Sequence, residues 1–486
     1  MLRELSAAKV GAGRWFSNPA SHRWILLAVF AGCVALQAVR YAVTRSLVAG
    51  DSAWYYSTAR SLLIDHDLDL TDEYQHFAND VSPYTGNRRI LVAAEADPLT
   101  GRISSGFATG TSLAILPFMA IAHLFWRGDG YGAPYQLAAG IGSALYAFAG
   151  ILLLYALGRK LFGAERALLG SLTIWLATPL VYYMTIEPLM SHAVSMFCVT
   201  ALLSLWVVSR DGSWSPVRWA LLGLLGGFAA IVRYQDALFC AIPVIDAVVT
   251  GSVVRKPARA AVCLACFVAC IALVASVQLY VDSYYYGSPW VTGYPALGKF
   301  NWLAPELGKI LFSFHNGLFT FAPVTVLALA GLFRFTRNSR VLGGLLCGAL
   351  LMQVYVTSAW VSPDQGATFG NRILLNCTPI FAIGLMSFLD RPRIGLCVAL
   401  IGLNATLAAL YCARIIPDPY IINGIRQAYG DQPPRPYAYS TERRSSASGS
   451  GPASSTFSTK SFSLNRGPSA ALTSRSSRSI SSQPTM

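Results

Sequence analysis

Charge is what this sequence has least of. Only 12% of its 486 residues are Asp, Glu, Lys or Arg, and 54% are hydrophobic; an ordinary soluble domain carries roughly 25% charged residues. With a mean hydropathy of +0.48, there is too much apolar surface for a soluble core to hide. That excludes soluble one- or two-domain enzymes, disordered proteins and secreted disulfide scaffolds. Cysteine patterns of the metal or disulfide kind are lacking too. All ten cysteines lie in apolar stretches, and Cys263, Cys266 and Cys270 fall near one helical face with no histidine or carboxylate beside them. They read as packed thiols. The first apolar stretch lacks a small-residue cleavage pattern, so no cleavable signal peptide is expected.

What the sequence does have is long apolar runs. A membrane-spanning helix needs roughly 20 apolar residues. Candidates occur near 24–48, 106–126, 135–157, 167–184, 190–209, 218–233, 235–253, 260–282, 317–334, 341–360, 373–389 and 394–413. Basic connections stand at 1–23, 158–166, 210–218, 254–259, 334–340 and at Arg391/Arg393. The positive-inside rule puts them on one side only if two crossings separate each from the next. Three runs lie between Arg23 and Arg159, so one of them does not cross. Run 106–126, with Gly106, Gly110 and Pro117 and a long polar stretch before it, is the expected exception.

The expected fold is therefore an all-α polytopic membrane protein with about 11 transmembrane helices, plus interfacial or re-entrant helices in a first outer loop, 49–134. Around the membrane domain, 24–413, we expect a cytoplasmic N-terminus (1–23), an outer C-terminal segment (414–440) and a disordered Ser-rich tail (441–486). Arg40 and Arg45, near the outer end of the first span, run against this topology and call for snorkelling. The net charge of +14 divides into +5 in residues 431–486 and +9 in the body. It reads as an orientation signal and not as a nucleic-acid surface.

Ionisable residues at membrane depth or at span ends are costly, and so are candidates for function. Asp51 follows Gly50 at the membrane boundary and precedes Trp54, Tyr55 and Tyr56. It suits a general base, or equally an N-cap for a short helix over 52–63. Glu187 and His192 sit in a short outer turn, where helix-dipole stabilisation is the competing role for the acid. Arg233 interrupts the apolar stretch 218–253; it suits phosphate binding, or an internal pair with Asp236. His315 and Arg372 lie in further outer loops, Arg372 as a second anion ligand. The string Asp65, Asp67, Asp69 lacks the glycine and bidentate glutamate of a calcium loop. A looser divalent site there stays an alternative, and no cofactor is required. Asn376-Cys377-Thr378 matches a glycosylation pattern but lies inside an apolar run.

The ordered set is an N-terminal span, a Gly-Asp pair with tyrosines opening the outer loop, the basic turn Gly158–Gly163 and an acidic-Pro outer turn. It resembles the GT-C glycosyltransferases, chiefly the bacterial members related to protein O-mannosyltransferases and the lipid A aminoarabinose transferase. The resemblance covers about 20–415, strongest in 50–74, 158–236 and 310–385. It implies a polyprenyl-phosphate sugar donor and transfer on the outer side of the membrane. Displacement by a base-activated acceptor would invert the anomeric centre, so the expected function is an inverting glycosyltransferase of the inner membrane acting on an extracytoplasmic lipid, polysaccharide or protein acceptor. The resemblance also implies roles for Asp51 as base, Glu187 as assisting acid residue, and Arg233 and Arg372 as phosphate ligands. Tyr55, Tyr56, His192 and His315 are further substrate-site candidates offered by their positions in the sequence. Protein mannosyltransferases carry Asp-Glu where this chain has Asp51-Ser52. The alternative function is a transporter or flippase of a lipid-linked or anionic solute. Transporter halves often repeat internally; this sequence shows no repeat, and its acids gather on one side.

Overall fold

The computed structural model describes residues 19–80, 96–210, 214–293, 300–360, 368–390 and 393–413. By contacts the chain divides into 1–438 and 439–486, and the second unit lies outside the described residues. So do the expected C-terminal segment and tail and most of the N-terminal segment.

Among the described residues each of the apolar runs folds as helix. The order begins α1 Pro19–Thr44, α2 Ser52–Arg60, α3 Thr71–Ala78, α4 Gly110–Trp126, α5 Ala133–Phe162 and α6 Ala164–Leu176. It continues α7 Leu180–Thr185, α8 His192–Ser209, α9 Pro216–Val232, α10 Ala241–Val249, α11 Ser252–Arg255 and α12 Pro257–Tyr286. Last come α13 Leu307–Phe312, α14 Leu318–Phe321, α15 Val324–Asn338, α16 Arg340–Ala359, α17 Thr378–Phe388 and α18 Ile394–Cys412. Six of these, α1, α5, α8, α12, α16 and α18, are long and apolar enough to cross a membrane. The all-α polytopic fold class holds.

Several runs that read as single spans are broken. Run 167–184 is α6 and α7, separated at Pro179, because a residue before proline is driven out of the helical region. Run 317–334 breaks at Pro323 in the same way. Runs 235–253 and 373–389 each start with a tight 3-10 turn, Tyr234–Cys240 and Ile373–Cys377, before going over to α-helix.

Burial separates central from peripheral helices. In α8, 72% of the apolar window is buried, against 17% in α12 and 11% in α18, so α8 is the axis and the other two present apolar sides outward. Small residues let helices close up. A Cβ on Gly384 would lie 2.1 Å from the Ala328 carbonyl oxygen, so α15 and α17 touch backbone to backbone.

Helices α1 and α5 run antiparallel. His22 bonds the Tyr155 hydroxyl at one end, and Gln37 donates to the Gly140 carbonyl, and to that of Met184, at the other. The connection from Arg45 to Gly132 therefore leaves and returns at the same end of this pair. Within it α4 packs its Ile115, Met119 and Ala122 against Tyr56 and Ala59 of α2.

Candidate active site

The site assembles where the chain turns at that end of the bundle. Gly50 adopts φ 55°, a left-handed conformation that glycine accepts without strain, and so delivers Asp51 to the start of α2. Asp51 makes no side-chain cap bond to that helix. Its carboxylate instead accepts from Arg372 Nη2 at 2.8 Å. Of the two roles open to Asp51 in the sequence, capping is not the one adopted. Arg372 is placed by a second left-handed glycine, Gly370 (φ 62°), which packs so closely that a Cβ would sit 2.5 Å from Pro179 Cγ.

Glu187 lies half-buried between α7 and α8 and accepts from the Tyr182 hydroxyl at 3.2 Å. Burial pushes its carboxyl up to about 7; Arg372, the Tyr182 hydroxyl and Arg40 pull the other way, and Asp51 adds to the rise. Two carboxylates and two arginines thus share one field, although they come from four separate stretches of chain. Arg40 is the member that sequence reasoning treated only as an obstacle to the topology. Its Nη1 is buried with no hydrogen-bond partner among the described residues. An arginine inside an otherwise apolar span was the signal for it.

Arg233 and His192 form the second half of the group. Arg233 Nη1 donates to the Ile373 carbonyl at 3.1 Å and to His192 Nδ1 at 3.2 Å. Because a guanidinium only donates, Nδ1 is the accepting nitrogen, which makes this imidazole neutral and protonated on Nε2. Both Arg233 and Arg372 act on His192 electrostatically. Asp236 does not close a salt bridge with Arg233. Fully buried, it accepts from Ser195 Oγ and Asn376 Nδ2. Asn376 also donates to Gln353, and Gln235 joins Arg233 on the Ile373 carbonyl. The two 3-10 turns behind Arg233 and Arg372 are therefore bonded to each other.

The tyrosines fall differently. Tyr55 is buried against Phe107 at 5.3 Å between ring centroids. Tyr56 is fully buried and donates to the Gly130 carbonyl at 2.5 Å, a contact internal to the first loop. His315 is half-buried between α13 and α14, where its N–H donates to Ser313 Oγ. No bond links its ring to the charged group among the described residues.

The acidic string of the first loop is organised around Arg60, at the end of α2. Arg60 Nη1 donates to Asp65, to Asp72 at 3.3 Å and to Glu73 Oε1 at 2.9 Å, and Nε donates to the Asp129 carbonyl. Asp67 and Asp69 turn elsewhere, to Ser61 and Thr71. The carboxylates that converge, Asp65, Asp72 and Glu73, could hold a cation, since oxygens of all three lie within 4.8 Å of one another. Burial pushes the Glu73 carboxyl up to about 8, against the bond from Arg60. All ten cysteines are free thiols.

Residues 132–280 match the dolichyl-phosphate-mannose-protein mannosyltransferase family. No curated protein matches the chain in sequence. Among solved structures, it is similar to ArnT from Cupriavidus metallidurans in the apo state, at 14% identity and a TM-score of 0.44 over 78% of this chain and 62% of that one. The same protein bound to undecaprenyl phosphate gives 16% and 0.45, over 77% of this chain and 61% of that one. The apo oligosaccharyltransferase of Archaeoglobus fulgidus gives 14% and 0.41, over 82% and 55%. The chain thus spans about three fifths of the length of these ArnT chains. The resemblance to the GT-C membrane glycosyltransferases is borne out, through a family match that spans residues 132–280.

Proposed function

We propose that this protein is an inverting membrane glycosyltransferase that moves a sugar from a polyprenyl-phosphate donor to an extracytoplasmic acceptor. The observation that carries the reading is the pairing of Asp51 with Arg372 beside Glu187, a base and an anion ligand held in contact by two unrelated loops.

The chemistry asks little of the protein. A sugar carried on a lipid phosphate already has a good leaving group, so two tasks remain. One is to take a proton from the attacking hydroxyl or amine, and Asp51 has the chemistry for it. The other is to stabilise the phosphate as it departs, which falls to Arg372 and Arg233, with Arg40 close by. Attack by a base-activated acceptor on the face opposite the phosphate inverts the anomeric carbon. His192, neutral and protonated on Nε2, orients Arg233 and does not compete for the anion. Glu187 tempers the positive charge of Arg372 and Arg40. The topology that fits has a cytoplasmic N-terminus, a first outer loop that includes α4 without a crossing, and the site on the outer face of the inner membrane. The antiparallel pairing of α1 with α5 supports it.

Reconstituted protein supplied with radiolabelled polyprenyl-phosphate sugars and a crude envelope acceptor tests the reading. Label should leave the donor in the wild type, and the lipid phosphate should accumulate. Donor that moves across the bilayer unbroken would mark a flippase and overturn it.

A further inference from the structure

At the opposite end of the bundle three turns meet around a cavity of about 300 Å³ that the proposed reaction does not use. The end of α5 and start of α6 supply Phe162 and Arg166, the α15–α16 turn supplies Arg334, Asn338 and Ser339, and the end of α17 supplies Ser387. Gly140 packs against Pro188, next to Glu187, and Phe162 lies 22 residues further along α5. At 1.5 Å rise per residue that is roughly 33 Å, about the thickness of a bilayer's hydrocarbon core. This cavity therefore stands at the other leaflet.

Its electrostatics are one-sided. Arg166 donates to the Asp390 carbonyl at 2.9 Å, Arg334 pairs with the Asp390 carboxylate at 3.1 Å, and Arg393 approaches the same carboxylate at 3.8 Å. Two guanidiniums thus share one carboxylate, and a third is held on the backbone carbonyl of the same residue. The neighbouring side chains add Arg159, Lys160, Arg337 and Arg340 against Glu165 alone. The cavity wall is mixed: Leu161, Phe162, Phe335 and Leu342 supply its apolar part, with Phe162 and Phe335 in contact at 5.8 Å, and Asn338, Ser339 and Ser387 supply neutral donors beside the arginines. Phe333, Val341 and Ile394, next in sequence to these basic and cavity residues, are exposed apolar side chains. A phosphodiester joined to acyl chains satisfies every part of this surface: anion for the arginines, ester oxygens for the rim, hydrocarbon for the exposed apolar flank.

We propose that this cleft binds the headgroup phosphate of an anionic glycerophospholipid in the leaflet opposite the catalytic group, and so clamps α5–α6, α15–α16 and α17 together. It does not depend on the identity of the donor sugar or on the reaction.

Native mass spectrometry of the full-length protein from nanodiscs tests it. Discs of phosphatidylcholine alone are compared with discs containing phosphatidylglycerol, and unfolding temperature is read in parallel. Wild-type protein should retain phosphatidylglycerol and unfold at a higher temperature in its presence. Removal of each cleft arginine should lower retention roughly five-fold, the factor that about 1 kcal/mol per basic residue corresponds to. Arg334→Gln is the primary variant, because its half-exposed side chain leaves the Arg166–Asp390 bond intact, and Arg166→Gln/Arg334→Gln the second. Lys160→Gln/Arg337→Gln removes the same charge outside the cavity and should lower retention less than the cleft double variant does. Equal loss in both double variants would reduce the effect to general surface charge and overturn the site. So would wild-type retention in Arg334→Gln, or stabilisation by inorganic phosphate in phosphatidylcholine discs equal to that by the lipid.

Discussion

Asp51 and Glu187 are both acids in one field, yet their surroundings assign them different work. Asp51 is ion-paired to Arg372, which on the proposed reading holds the carboxylate in place for a proton transfer. Asp51→Asn keeps the size and loses the base, so transfer should fall by the 10²–10⁴ that general-base catalysis supplies, with donor binding retained; single-turnover assays read both. Burial pushes the Glu187 carboxyl up to about 7. Below that value it is neutral, and Arg372 and Arg40 are left for the donor phosphate. Above it the ionised carboxylate competes with that phosphate. The donor KM should therefore rise as pH increases through 7 in the wild type and stay flat in Glu187→Gln; a KM that falls with pH would show that Glu187 has another task. Glu73 sets a stability dependence of the same sign. Its folded value of about 8 lies above the ordinary 4.5, so the folded state holds the extra proton and stability declines as pH rises from about 5 to 8. Thermal unfolding of Glu73→Gln, which keeps an acceptor for Arg60, should lose that decline.

At the scale of elements, the site depends on where helices fail to be helices. Arg233 and Arg372 each precede a 3-10 turn, and the two turns are bonded through the Ile373 carbonyl and through Asn376 to Asp236. The sequence shows both arginines, because Arg233 interrupts an apolar run and Arg372 stands immediately before one. It does not show the turns, which follow from contacts between residues some 140 positions apart. Tyr55 and Tyr56 illustrate the opposite limit: aromatic residues beside an acid look like a sugar platform, and only packing reveals that Tyr56 is a core residue. Close helix contact makes its own prediction. In Gly384→Val the new side chain must enter the backbone of α15 at Ala328, and overpacking of this kind costs about 1–3 kcal/mol, measurable by detergent or thermal unfolding. Topology is tested by cysteine labelling. A thiol at position 130 should react from the outer side and one at position 162 from the cytoplasm; position 130 reacting only from the cytoplasm would require α4 to cross.

For the whole molecule, low charge and long apolar runs made the class and nearly every helix legible, since a span needs length and composition and little else. The breaks at Pro179 and Pro323 were legible in principle from proline's effect on the residue before it. Arg60 as a hub and Arg40 as a member of the site were not, because a buried arginine's partners are set by the tertiary fold. What emerges is a bundle polarised along its length, with paired acids and arginines at one end and an arginine-rich cleft at the other. The central claim concerns the first end, and one measurement addresses it most directly: release of labelled sugar from a polyprenyl-phosphate donor by reconstituted wild-type protein and by Asp51→Asn. Transfer by the wild type with inversion at the anomeric carbon, and its loss in Asp51→Asn with the donor still bound, is the predicted result. Intact donor in the wild type, or transfer by Asp51→Asn at the wild-type rate, would contradict it.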